Sequence, residues 1–252
     1  MIYFVGAGCG APDLITVRGA KLLKEADAVV YAGSLVNPAL LYDTKPGCEI
    51  RDSAFMTLDE VVDVLVCVHA RGGMAIRLHT GDPSLYGAIR EQMDRLAEAG
   101  VPFEVCPGVS SFCGAAAALK AEYTLPGVSQ SVVITRMSGR TPVPERESIR
   151  SFAAHRATMV IFLSAGMTQS LQDELLAGGY APGTPAAIVY KASWPDERIV
   201  RCTIGTLSET IDRSGIDHHA LILAGEFLGE NYELSKLYDP GFTTGFRKGT
   251  DA

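Results

Sequence analysis

The sequence predicts an α/β protein built in two halves, and three observations carry that reading. Short β-branched runs alternate with amphipathic stretches along almost the whole chain, the pattern of α/β layers with mainly parallel strands. The pattern lapses once, in T-L-P-G-V-S-Q at residues 124–130, and then starts afresh. The 252 residues are 47% hydrophobic and 20% charged, which supports one large or two small cores and excludes a disordered or collagen-like chain. The expected halves are 1–125 and 126–252.

In the first half, strands are expected at 2–5, 28–31, 74–78 and 103–106, with helices between them. Thr16 is placed to cap a helix through Glu25, and Thr57 with Glu60 forms a T-x-x-E capping box ahead of a helix to Ala70. Residues 85–99 put apolar side chains on one face and close at Gly100, while Ser110 can cap a small-residue helix to Lys120. In the second half, strands are expected at 131–135, 158–163, 186–190, 198–203 and 220–224. The last pair before residue 204 is joined by a turn at Trp194-Pro195-Asp196, which predicts an antiparallel hairpin and a mixed sheet. After Gly225 periodicity fades into a polar tail.

Composition narrows the function. The net charge is −7 and neither half is basic, so no nucleic-acid surface is expected. The longest uncharged stretches, 157–172 and 175–190, have 16 residues each, short of the about 20 apolar residues of a membrane span. With no basic side chain in the first ten residues to start a signal peptide, the expectation is a cytoplasmic protein with no membrane partner. Six cysteines form no C-x-x-C pair and fit no zinc spacing, so no metal site is expected.

Loops at strand ends carry the candidate chemistry. Gly6-Ala7-Gly8-Cys9-Gly10 follows the first strand and frees the backbone for close approach, but Pro12 and Asp13 delay the helix and no acid ends the second strand. That departs from the dinucleotide fingerprint, and no G-K-[ST] phosphate loop exists. Thr80-Gly81-Asp82-Pro83 and Pro107-Gly108-Val109-Ser110-Ser111 follow two further strands, where open α/β sheets bind ligands. Asp82 offers a carboxylate, and Ser110 and Ser111 offer hydroxyls and free N–H groups. A turn carboxylate and an ordinary helix cap would produce the same letters. Asp13, Asp52 and His79 stand in similar positions. Arg51, Arg136 and Arg140 are cations that could meet anionic ligand groups.

With V-G-A-G-C-G-A-P-D-L-I-T at 5–16, T-G-D-P at 80–83, P-G-V-S-S at 107–111 and A-L-I-L-A-G at 220–225, the chain resembles the tetrapyrrole (corrin/porphyrin) methylases over nearly its whole length. Tyr31-Ala32-Gly33-Ser34-Leu35-Val36 and Glu122-Tyr123-Thr124-Leu125-Pro126-Gly127 bring it nearest to the branch that methylates C-11 of precorrin-4 on the way to cobalamin. The resemblance implies two α/β domains of the tetrapyrrole methylase type with a cofactor cleft between them, a homodimer, S-adenosylmethionine as cofactor and a tetrapyrrole as substrate. It implies cofactor contacts at Thr80, Gly81, Asp82, Leu85, Ser110, Ser111, Leu163 and Ala192. For the substrate's carboxylates and ring, Asp13, Arg136 and Arg140 are the expected contacts. Cys9 stands where many members have Pro, and Ala32 stands where uroporphyrinogen methylases have a proton-accepting Asp, so no catalytic base is assigned. Two alternatives stay open at this point: a methylase of another precorrin position or substrate, and a nucleotide-binding module without chemistry.

Overall fold

The computed structural model describes residues 1–250. It divides into two compact units, Met1–Ala118 with Lys191–Arg198, and Leu119–Tyr190 with Ile199–Ala252.

The first unit is a five-stranded parallel sheet: β1 Ile2–Gly6, β2 Ala28–Tyr31, β3 Glu49–Asp52, β4 Ala75–His79 and β5 Phe103–Cys106, in the order β3-β2-β4-β1-β5. Its helices are α1 Val17–Glu25, α2 Leu58–Ala70, α3 Ile89–Glu98 and α4 Ser111–Leu119. Alternate residues of the central strands β1, β2 and β4 face two different cores. Ile2, Phe4 and Val30 pack with Leu65 of α2 and Leu96 of α3, whereas Val5, Val29 and Leu78 pack with Leu23 of α1. Burial on both faces is why these strands read as nearly unbroken apolar runs. Each fully buried leucine contributes about 2 kcal/mol through removal from water.

The caps expected at Thr16 and at Thr57 with Glu60 are present. Thr16 Oγ1 accepts from Gly19 N at 3.1 Å, and Thr57 and Glu60 form both arms of the capping box. Two expectations need correction. α3 begins at Ile89 and not at 85, because Asp82 Oδ1 accepts from Ser84 N at 2.8 Å and locks a turn, after which Tyr86 and Ala88 adopt left-handed φ of 56° and 49°. The edge strand β3, with no expected strand at its place, is four residues long and two of them are exposed. Its letters E-I-R-D lack the apolar run by which the others declare themselves.

The second unit holds β6 Val132–Arg136, β7 Thr158–Phe162, β8 Pro185–Tyr190, β9 Arg198–Thr203 and β10 Ala220–Ala224 in the order β6-β7-β10-β8-β9. β6 and β7 are parallel, and β10 runs antiparallel to both β7 and β8, so this is the expected mixed sheet. Helices α5 Ile149–Ala153, α6 Thr168–Ala177 and α7 Leu207–Ser214 complete it. Leu171, Leu175 and Ile211 from α6 and α7 cover Met159, Ile161, Ile188 and Ile222. Among the described residues no helix is long and apolar enough to cross a membrane, and no group of three His, Cys, Asp or Glu is placed to hold a metal ion.

Candidate functional site

A parallel sheet delivers the carboxyl ends of all its strands to one edge, so the loops after β1, β4 and β5 of the first unit meet there. Pairing runs past the strands: Ala7 N donates to His79 O at 2.7 Å, and Gly8 and Gly81 form an isolated bridge. The approach is tight enough to dictate glycine. A Cβ at Gly108 would lie 2.1 Å from Gly81 O, and one at Gly6 would lie 2.5 Å from both Gly108 Cα and Gly81 O. Gly81 itself has φ +63°, a conformation that side chains rarely adopt. Gly108 is the residue that sequence reasoning passed over. Its signal was the Pro-Gly pair directly after a strand.

Asp82 fastens two of these loops together. Its Oδ2 accepts from Gly108 N at 2.8 Å, and its Oδ1 accepts from both N and Oγ of Ser84. Burial pulls the carboxyl's pKa up, but the hydrogen bonds from the Ser84 hydroxyl and the Gly108 and Ser84 amides outweigh it, and the group titrates below the usual range. Asp82 is thus an ionised clamp with lone pairs to spare. Ser110 is buried and Ser111 half-buried at the start of α4, both beside Gly81: a Cβ there would meet Ser110 Cα and Ser111 N at 3.4 Å. Thr80 and Leu85 are half-buried on either side of the clamp.

The segment Lys191–Arg198, between β8 and β9 in sequence, packs with the first unit and closes over the Gly-rich turn. Ser193 Oγ accepts from Ala11 N at 3.0 Å and lies 3.4 Å from Cys9 Sγ. Ala192 is buried, and a Cβ at Gly10 would strike the Trp194 ring and Ala192 O. Asn37 Nδ2 holds Gly10 O at 2.9 Å. Thr80, Gly81, Asp82, Leu85, Ser110, Ser111 and Ala192 therefore belong to one unit. Leu163 belongs to the second, directly after β7, where it is 67% exposed with φ 52°. An exposed leucine held in a left-handed conformation costs about 1–3 kcal/mol, the kind of strain found at binding sites.

The remaining candidates fall elsewhere. Asp13 is exposed in a short turn of 3-10 helix, Pro12–Leu14. Arg51 is paired with Glu49 at 2.7 Å on the edge strand. Arg136 directs its guanidinium to three carbonyls of the loop that follows it, those of Met137, Thr141 and Pro142 at 2.9–3.1 Å. Arg140, in the same loop, is exposed. His79 is buried with no partner for Nε2, and burial, reinforced by the charge of Arg77, drives its pKa down to about 3. It stays neutral throughout the physiological range.

The comparisons with known proteins converge on one family. The model of the tetrapyrrole (corrin/porphyrin) methylases matches residues 1–208. A cobalt-precorrin-4 C(11)-methyltransferase of Methanocaldococcus jannaschii is 51% identical over 98% of this chain and 96% of its own. The X-ray structure of a cobalamin biosynthetic enzyme, cobalt precorrin-4 methyltransferase, superposes with a TM-score of 0.89 at 47% identity, covering 91% of this chain and 96% of that one. A uroporphyrin-III C-methyltransferase from Thermus thermophilus, complexed with S-adenosylhomocysteine, gives a TM-score of 0.76 at 31% identity, covering 90% and 98%.

Proposed function

The chain belongs to the tetrapyrrole (corrin/porphyrin) methylases, and from that membership we propose that it methylates C-11 of precorrin-4, in its cobalt-bearing form, in cobalamin biosynthesis. The observation that carries this reading is near-full-length identity of 51% to an enzyme named for that reaction. Cobalt enters because that relative and the solved structure at 47% identity are both named for the cobalt form.

S-adenosylmethionine, when bound, supplies a methyl group made electrophilic by a sulfonium. The edge of the first sheet suits such a donor, because the loops after β1, β4 and β5 meet there, packed backbone to backbone at Gly6, Gly81 and Gly108, with the ionised carboxylate of Asp82 among them to face a cationic sulfonium. Thr80, Gly81, Asp82, Leu85, Ser110, Ser111 and Ala192 hold the donor in this reading, with Leu163 as a further contact. These residues supply position, holding the methyl in line with the acceptor carbon at near-attack distance, the main thing an already reactive methyl requires. As the new C–C bond forms, the S–CH3 bond would break, a neutral thioether would leave, and the positive charge passed to the acceptor ring would be relieved by loss of a ring proton or a shift of its π-system. Arg140 and Asp13 contact the macrocycle's polar rim, and Arg136 shapes the loop that carries Arg140. The reading also includes a homodimer and a cytoplasmic setting, which light scattering and fractionation check.

The test uses a donor labelled with ¹³C in its methyl group, offered with cobalt-bearing or metal-free precorrin-4. One labelled methyl at C-11, formed faster on the cobalt form, is the expected product. A label at another ring position, or none, overturns the reading.

A further inference from the structure

Beneath the loop that follows β3 lies a cavity of about 150 Å³ lined by Ser53, Met56, Val61, Glu91 and Gln92, with Arg77 of β4 in its wall. Arg77 is 94% buried, since only 6% of it is exposed, yet it forms no ion pair with any described residue. Its Nε donates to Gln92 Oε1 at 3.0 Å and its Nη1 to Val30 O at 3.1 Å, both neutral acceptors. Gln92 is fixed in turn, its Nε2 donating to Ala88 O at 3.0 Å. Nη2, with two N–H groups, makes no hydrogen bond to the described residues.

A guanidinium largely withdrawn from water is costly unless its charge and donors are answered, and for Arg77, Asp52 gives only a through-space attraction without an ion-pair contact. Burial lowers the Arg77 pKa to about 10, against an opposing pull from Asp52, so it is still cationic at neutral pH. Its bonds to Gln92 and Val30, with a longer one from Nη1 to Leu78 O at 3.5 Å, hold the fork in one orientation, with Nη2 left over. At about 30 Å³ per water the cavity has room for about five, enough for the end of a carboxymethyl or carboxyethyl arm but not for a ring. Glu91 on the same wall opposes any anion that enters, so binding there rests on the Arg77 guanidinium.

We propose that this cavity is a carboxylate subsite in which Arg77 binds one acetate or propionate arm of the macrocycle. The identification of the arm rests on the functional reading above; the carboxylate chemistry does not. Arg77 is on this account a substrate-positioning residue that fixes which ring edge faces the methyl donor.

Two measurements separate the claims. In thermal unfolding of the full chain, acetate or propionate at about ten times its dissociation constant raises the midpoint by about 3 °C over chloride at equal ionic strength. The rise is absent in Arg77→Met and in the cavity-filling Met56→Trp, and is kept in part by Arg77→Lys. No carboxylate-specific rise in the wild type, or an equal rise in all variants, overturns the subsite. In turnover, Arg77→Lys raises the apparent KM for the macrocycle about tenfold and leaves that for the methyl donor unchanged. A retained acetate effect with unchanged macrocycle KM overturns the substrate assignment and leaves a free-anion site. If the wild type turns over no tetrapyrrole, the functional reading fails while the unfolding series still decides the subsite. Met56→Trp guards against misreading a variant that loses Arg77 and fails to fold.

Discussion

The edge of the first sheet and the loop after β6 in the second unit both follow strands, but they are built in opposite ways. At the first edge three loops from strands far apart in sequence pack backbone to backbone, with Gly6, Gly81 and Gly108 meeting where no side chain fits and Asp82 bonding one loop to the next. The loop after β6 organises itself: Arg136 binds three of its own loop's carbonyls, and Gly139 N donates to Thr141 O. A site assembled from distant segments is intolerant of any added atom. A loop closed on itself depends on few distant contacts, so its letters can vary without disturbing the sheet edge.

The sharpest way to break this contrast is Gly108→Ala. With a Cβ 2.1 Å from Gly81 O and backbone on every side, the loops must separate, and the expected result is a loss of about 3 kcal/mol in denaturant unfolding together with loss of donor binding. Gly139→Ala is the matched control. Its nearest neighbours would be Met167 side-chain atoms at 3.4 Å, and it should stay within about 0.5 kcal/mol of wild type.

Asp82→Asn comes next. The wild-type carboxyl titrates below its unfolded value, so its stabilisation is present above that unfolded value and is lost as pH falls through the folded one. Asn keeps the shape without the charge. The variant should lose about 1 kcal/mol at neutral pH, and the difference from wild type should shrink in acid unfolding. Donor affinity should fall about tenfold. Equal stability at neutral pH would mean that Asp82 does not clamp the loops.

Arg136→Ala tests the self-closed loop. Freeing three carbonyls of a half-exposed segment should cost about 1 kcal/mol and raise the apparent KM for the macrocycle several-fold, with little effect on the donor. Arg140→Ala should leave stability unchanged and raise the same KM, an effect that shrinks at high salt. Leu163→Gly should likewise have little effect on stability. Relief of the left-handed φ is offset by the greater freedom of glycine in the unfolded chain, so stability should hold within about 0.5 kcal/mol. A several-fold rise in donor KM would then report contact by the leucine side chain.

What was legible in the sequence follows the same division. Strands buried on both faces, the Thr16 cap and the Thr57–Glu60 capping box depend on neighbours in sequence and were all readable. β3 was not, because its pairing to β2 is made by backbone and its side chains are mostly outside the core. The start of α3 was misplaced because Asp82 and Ser84 form a turn, whereas apolar spacing reports only a face. Of the site, Gly81, Asp82, Ser110 and Ser111 could be picked out because turn chemistry and strand ends mark them. The need for glycine at 108 is set by contact with residues 6 and 81, which no local pattern contains. Arg136 was legible as a cation, but the carbonyls that engage it become its partners only once the loop has folded. The buried state of Arg77 was hidden for a related reason, since one charged letter in an apolar run does not reveal whether its charge is answered.

The central claim is that the glycine-joined edge of the first sheet holds the methyl donor. The most direct measurement is calorimetric titration of S-adenosylhomocysteine into the wild type and into Gly81→Ala, which puts a side chain on a φ of +63°, 3.4 Å from Ser110 Cα and Ser111 N, and so strains the loop that carries Thr80 and Asp82. The account predicts one site per chain in the wild type, no comparable binding of NAD, and affinity at least about tenfold weaker in a Gly81→Ala protein that still unfolds cooperatively. Unchanged affinity in that folded variant would contradict it.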